Sequence, residues 1–268
     1  MTRTSVAIRQ PFDAPWILAF LRAREAPAIE TIGDDAVSRV VRVNGAAARV
    51  RMTVGSARVT VECPANVAPA MLRGMARRLF DLDADVVAFA AHVARDRLLG
   101  PRVRARPGLR VPQFLDPFEC VVRAVLGQQV SVRAATTLVN RLALMFDGFP
   151  EPAAVAAAGP QRLQTIGLTR ARSVSLHGIA STIACGRIDL EALRSAPGAD
   201  AQATLDALPG IGPWTASYIR MRGLGDRDAF PAADLGVLKA MRATPAEAER
   251  RSRRWSPWRA YAVMHLWA

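Results

Sequence analysis

With 268 residues, 51% of them apolar and only 6% aromatic, the chain is long enough for two domains with cores built chiefly from Ala, Val and Leu. It contains no run of 18 apolar residues and no hydrophobic stretch between Met1 and Phe12, which argues against a membrane span or a secretory leader. The net charge of +13 suits an anionic partner such as a nucleic acid, and it is spread out: residues 1–110 carry 18 basic and 10 acidic groups, the remainder 18 and 13.

The first hundred residues mix helix and strand. Asp13 can cap a helix running through Trp16, Leu18, Phe20 and Leu21. Val37–Val43, Ala48–Val54 and Arg58–Glu62 then alternate apolar and polar residues, with the turn dipeptides Asn44-Gly45 and Gly55-Ser56 between them, which predicts an antiparallel meander. Helical segments are expected at about Asn66–Phe80 and Ala84–Arg97. The stretch Gly100–Gln113, rich in Pro, Gly and Arg and without periodicity, reads as a linker.

Beyond it the pattern is helical. Asp116-Pro117-Phe118-Glu119 is a helix start that should run to about Gly127, Ser131 can cap the next helix through Phe146, and Ala153–Ala158 reads as helix. Thr244-Pro245-Ala246-Glu247 repeats the start signal, and Ser256-Pro257 should open a last helix carrying Trp258, Tyr261, His265 and Trp267. The expected class is therefore α+β: a small antiparallel-sheet domain over residues 1–110 and a mostly helical region over 111–268.

Cys63, Cys120 and Cys185 are widely spaced, with no CxxC and no Cys/His cluster, so neither a zinc site, an iron–sulfur cluster nor a disulfide framework is expected. His92, His177 and His265 are scattered and read as structural. The Arg250, Arg251, Arg253, Arg254 run reads first as a solvated helix face, with one or two side chains available to phosphate.

The most informative segment is Leu208-Pro209-Gly210-Ile211-Gly212-Pro213-Trp214-Thr215-Ala216, between a helical run at about Ala199–Ala207 and a second helix with Pro213 in its first turn and Gly223 just past its end. Two glycines one residue apart allow unusual backbone angles and close approach of a ligand, and amides of the turn and the following helix start suit a phosphate oxygen. Gly-x-Gly alone is better read as a tight helix corner with no ligand. Asp234 lies 22 residues beyond Gly212, before the apolar Leu235, Val237 and Leu238, where it reads as a helix cap that the helix start would help keep ionised. Trp214 and Tyr218, four apart, share a helix face.

The full hairpin string resembles the helix-hairpin-helix of the DNA glycosylase superfamily. The resemblance continues through Ala124-Val125-Leu126-Gly127-Gln128-Gln129-Val130-Ser131, Phe230-Pro231-Ala232-Ala233-Asp234 and Trp255-Ser256-Pro257-Trp258-Arg259-Ala260-Tyr261-Ala262. It also takes in Pro11-Phe12-Asp13 to Phe20 and Pro107-Gly108-Leu109-Arg110. Over nearly the whole chain these motifs are similar to the DNA-3-methyladenine glycosylase II family.

That resemblance implies excision of alkylated bases from duplex DNA by base flipping, with Asp234 as the catalytic carboxylate. It implies a base pocket of Trp214, Tyr218, Trp267 and Phe20. It places Gly210, Ile211, Gly212 and Thr215 on the DNA backbone and Gln129 at the wedge position, where some members carry leucine. Trp214 stands where strand-nicking relatives have a hairpin lysine, so water is the expected nucleophile and an abasic site in an intact strand the expected product. No cofactor is required; a monovalent cation, Na⁺ or K⁺, could sit on the main-chain carbonyls of Asp206, Leu208 and Ile211. The expected partner is double-stranded DNA containing damaged bases, met by a monomer in the cytoplasm at the bacterial nucleoid, away from membranes. Where relatives continue with a second aromatic after Trp267, this chain has Ala268, so one pocket wall is expected to be thinner. Three other readings stand beside this one: the same fold acting on deaminated, oxidised or mismatched bases, a catalytically inactive lesion-binding module, and a strand-nicking relative of endonuclease III. The missing cluster cysteines and hairpin lysine count against the last.

Overall fold

The computed structural model describes residues 1–43 and 45–268. In chain order it holds strand β1 (Thr2–Ala7), helix α1 (Ala14–Arg22), strands β2 (Glu30–Ile32), β3 (Ala36–Val43), β4 (Ala46–Val54) and β5 (Arg58–Cys63), and helices α2 (Pro69–Phe80), α3 (Val86–His92) and α4 (Leu99–Ala105). Helices α5 (Pro117–Leu126), α6 (Val132–Met145), α7 (Pro152–Gln164), α8 (Arg170–Ala184), α9 (Gly198–Asp206) and α10 (Pro213–Ile219) follow, the last running on as a π-turn, Arg220–Leu224. Helices α11 (Leu235–Met241), α12 (Pro245–Ser252) and α13 (Arg259–Trp267) come last.

The chain folds as two compact units, and they do not follow the division expected at residue 110. The first comprises Met1–Arg22, Glu30–Leu115 and Ala232–Ala268; the second comprises Ala23–Ile29 and Asp116–Pro231. The last 37 residues thus belong with the sheet, because α13 is buried along almost its whole length and its tyrosine and the preceding tryptophan bond to acids of the first unit.

In the first unit the sheet order is β1-β5-β4-β3-β2, with every pairing antiparallel. The three strands expected from alternation form its centre, and Met52 sits opposite Val61 in register. Gly45 takes the turn at φ +78°; Asn44 beside it lies outside the described residues. The edge strands were not expected. β1 reads Thr-Arg-Thr-Ser-Val-Ala with only Val6 buried, and β2 is three residues long, so neither shows apolar alternation. Leu72, Ala76, Leu79 and Phe80 of α2 share one core with Val50, Met52, Val59 and Val61 of the sheet.

The expected linker is folded instead. α4 occupies its first half, and Arg110 in its second half is fully buried, donating to the carbonyls of Asp81 (2.9 Å), Ala84 (3.0 Å), Pro11 (3.1 Å) and Arg9. Composition misled here because an arginine whose terminal nitrogens bond to backbone carbonyls leaves no trace in a hydrophobic pattern. Gly108 is required by space, since a β-carbon there would sit 2.5 Å from the Asp13 amide nitrogen. Pro11-Phe12-Asp13 and Pro107-Gly108-Leu109-Arg110 are therefore two sides of one packing contact. Asp13 also caps α1 through the Trp16 amide (3.0 Å).

Several helix starts are as expected: Asp116 accepts from Phe118 N (2.8 Å), Ser131 from Ala134 N (3.2 Å), and Thr244 and Glu247 form a reciprocal capping box. The last helix begins later than Ser256-Pro257, at Arg259, because Trp258 N first closes a turn onto Trp255 O (2.7 Å). The arginine run is partly engaged, Arg251 on the Met241 carbonyl (2.9 Å) and Arg254 on Asp96 (2.8 Å). In the second unit, Gly223 does not end the hairpin's second helix; the π-turn carries it to Gly225, at φ +78°. Gly223 is instead a packing glycine, since a β-carbon there would lie 2.9 Å from Cys120 Cβ of α5.

Candidate active site

Asp234 is the N-cap of α11, in extended backbone just before Leu235. Its Oδ1 accepts from Val237 N (3.1 Å), which makes the capping role real. The same oxygen accepts from the indole N–H of Trp267 (2.8 Å). Two donors on one oxygen fix the carboxylate plane, and they come from two helices, α11 and α13. The side chain is half-buried, so the anion is held in place while keeping access.

Trp267 is half-buried and stacks on Phe20 (centroids 6.3 Å apart, interplanar 13°), which in turn stacks on Trp16 (5.1 Å, 20°). Phe20 is only 8% exposed, so its ring area goes into supporting Trp267. Trp16, four residues before Phe20, is a member of this column that sequence reasoning did not single out; the i,i+4 spacing was the available signal. Gly236 was also missed. A β-carbon there would lie 2.8 Å from Trp267 Cδ1 and 3.1 Å from Asp234 Oδ1, so glycine is what lets the indole lie on the carboxylate. No sequence pattern marks that requirement.

The hairpin residues lie in the second unit. Gly210 is left-handed (φ +77°), a conformation that favours glycine. Gly212 is not: its backbone is ordinary extended (φ −101°, ψ 175°), and nothing lies within 4 Å of where a β-carbon would be. The expectation that both glycines serve unusual angles is thus corrected for Gly212, whose bareness has no internal cause. Ile211 is buried as an anchor. The Thr215 side chain is 3% exposed and its hydroxyl accepts from Gln128 Nε2 (3.2 Å), which leaves its amide at the start of α10 as the group suited to a phosphate. Trp214 and Tyr218 are both half-buried and stack on each other (5.6 Å, 22°), with the Arg222 guanidinium 6.0 Å from the Tyr218 ring centroid. Gln129 is exposed and left-handed (φ +56°), at the tip of the loop between α5 and α6.

The predicted site residues therefore fall into two groups. Asp234, Trp267 and Phe20 adjoin one another in the first unit; Gly210, Ile211, Gly212, Thr215, Trp214, Tyr218 and Gln129 lie in the second. Among the described residues no group of three or more His, Cys, Asp or Glu side chains could hold a metal ion.

Family models match both parts of the chain: the AlkA N-terminal domain over residues 3–116 and the HhH-GPD superfamily base excision DNA repair protein over residues 122–255. The chain is 36% identical to DNA-3-methyladenine glycosylase 2 of Escherichia coli (strain K12) over 274 residues, covering 96% of this chain and 94% of the relative. It belongs to the DNA-3-methyladenine glycosylase 2 family.

Two solved structures share the fold of this family member. The 3-methyladenine DNA-glycosylase from Archaeoglobus fulgidus superimposes with a TM-score of 0.86 at 21% identity, covering 98% of this chain and 97% of that one. The apo form of an 8-oxoguanine glycosylase/lyase from Clostridium acetobutylicum gives 0.75 at 18% identity, covering 98% and 95%. Among the described residues of the glycosylase no helix is long and apolar enough to cross a membrane. Of its family motifs, the Trp255-to-Ala262 string is structural: Trp255 Nε1 donates to Asp96 (2.8 Å) and Tyr261 OH to Asp81 (2.9 Å).

Proposed function

We propose that this glycosylase excises alkylated bases, 3-methyladenine among them, from duplex DNA by flipping them out of the stack and hydrolysing the N-glycosidic bond, without cutting the strand. The observation that carries the reading is a single carboxylate, Asp234, oriented by the Val237 amide and the Trp267 indole. Cleavage of the C1′–N bond leaves positive charge on the sugar, and a fixed anion stabilises that charge. A purine alkylated on a ring nitrogen already carries positive charge, and the bond electrons it leaves with neutralise it, so no acid is needed at the leaving group. Water then bonds to C1′ and its proton is lost through the carboxylate to solvent. Stacking a flipped base on indole and phenol rings is worth roughly 1–3 kcal/mol, and a cationic base gains more through the ring quadrupole.

The turn at Gly210–Gly212 would take a backbone phosphate, which gives bare Gly212 its reason: close approach of a partner outside the chain. The carbonyls of Asp206, Leu208 and Ile211 would hold a monovalent cation. Asp206 ends α9, where helix carbonyls lack intrahelical donors, and the Leu208 carbonyl, although it accepts from Ile211 N (3.1 Å), has a second lone pair. A cation there would add fixed positive charge beside the phosphate. The monofunctional reading is supported by lysine usage. Lys239 is the only lysine in the chain, and it lies exposed in the last turn of α11, outside the hairpin. The partner is damaged duplex DNA, and the chain acts as a monomer.

The decisive experiment incubates wild type and Asp234→Asn with methylated duplex DNA and measures free bases, alkali-labile sites and direct nicks. Wild type should release 3-methyladenine and leave strands that break only after alkali. Asp234→Asn should lose release by at least about a hundredfold while still binding DNA. Release that survives the substitution overturns the mechanism, nicking without alkali overturns the monofunctional claim, and binding without release by wild type makes the chain a lesion-recognition module.

A further inference from the structure

Three contacts around Gln128 in the second unit take no part in the chemistry above, yet they join the two segments assigned to DNA. The Gln128 amide donates to the Gly210 carbonyl (2.8 Å) and to Thr215 Oγ1 (3.2 Å), so the loop between α5 and α6 is bonded to the hairpin turn from the residue next to Gln129. The Gln128 main-chain carbonyl accepts from the Arg172 guanidinium.

Arg172, Ser175 and Gly178 are spaced by three along α8 and so share a face. Each braces one of the two segments. Ser175 lies against Gly210, where a β-carbon would come within 2.5 Å of its Oγ, and Gly178 makes room for Pro209, whose Cγ would be 3.1 Å from an added β-carbon. Left-handed Gly210 thus packs against the same helix that holds the loop. At the loop's tip, exposed Gln129 is followed by Val130 (36% exposed) and Val132 (48%), a short apolar edge with Gln129 at its front.

We propose that Gln128 is a positioning residue that locks the Gly127–Ser131 loop to the hairpin turn, so that a phosphate seated on the turn sets how deeply Gln129 enters the base stack. This rests on reading that loop as the wedge. Flipping costs a few kcal/mol at a paired base and little at an unpaired one, so a fault in wedge placement shows at paired lesions. A fault in folding or chemistry shows at both.

The test is single-turnover release of 7-methylguanine from two duplexes, one with the lesion opposite cytosine and one with it in a single-nucleotide bulge. The proteins are wild type, Gln128→Met, Gln129→Gly and the double variant. Gln128→Met keeps the side-chain length and removes the donor; Gln129→Gly keeps the left-handed backbone and removes the wedge side chain. Gln128→Met should slow release at the paired lesion about tenfold and at the bulge less than about threefold, and it should change little once Gln129 is glycine. Equal slowing on both duplexes, or effects that multiply in the double variant while Gln129→Gly is itself slow on the paired lesion, overturns the positioning role alone. An unchanged rate for Gln129→Gly on the paired lesion overturns the wedge reading beneath it. Should Gln128→Met melt too low to assay, Arg172→Met frees the same loop from its other side and carries the same expectations.

Discussion

Gly236 has no functional group, and its φ is not in the left-handed region, so its importance rests on the space above it. An alanine there gains roughly 1 kcal/mol of helix propensity and loses a comparable amount to the clash with Trp267. The expected outcome is an enzyme that melts within a few degrees of wild type yet releases base at least about tenfold more slowly, because the indole is lifted from Asp234. Thermal melting and single-turnover release on one preparation check this, and a variant with wild-type release would show that the Trp267 contact does not matter. Trp267→Phe separates the two roles of that side chain. It keeps an aromatic ring on the Phe20–Trp16 column and removes the N–H that orients the carboxylate, so release should fall while retention on damaged DNA changes little.

Among the elements, the π-turn after α10 shows how one close contact shapes a helix end. Gly223 lies against Cys120, which is wholly buried and whose thiol is pushed up by that burial, so it stays an inert packing group. Gly223→Ala should cost about 1–3 kcal/mol by overpacking, and Cys120→Gly in the same chain should restore most of it; urea melts of the single and double variants decide this. Local chemistry made the helix starts at Asp13, Asp116, Ser131 and Thr244 legible in the sequence, and alternation did the same for β3, β4 and β5. What alternation could not reveal was the edge strands, whose side chains are half polar, and the folded stretch around Arg110, whose partners are carbonyls distant in sequence. At the site, Asp234 was visible as a cap, whereas the Trp267 N–H on its oxygen and the bare Gly236 beneath depend on α13 returning to α11. No local window contains both.

For the whole molecule, acid is the informative stress. His265 is 2% exposed on α13, its ring 5.5 Å from that of Phe89, and its Nδ1 has no hydrogen-bond partner among the described residues. Burial, with the nearby Arg102 charge, pulls its pKa down from 6.5 to about 4. The unfolded chain therefore takes up a proton between those values that the folded chain refuses. The stability this represents is fully present above pH 6.5 and is lost as pH falls toward 4, by about 3 kcal/mol. His265→Leu should flatten that part of the profile; urea melts from pH 4 to 7 that fall in parallel for both proteins would assign the acid sensitivity elsewhere. Finally, the course of the chain orders its own assembly. The second unit, apart from Ala23–Ile29, is one continuous stretch set inside the first, which resumes at Ala232. During synthesis the ribosome releases every residue of the hairpin unit before Asp234, Gly236 and Trp267 emerge. The surroundings of Asp234 are therefore completed last, by the closing stretch of the chain, after the hairpin unit has emerged whole.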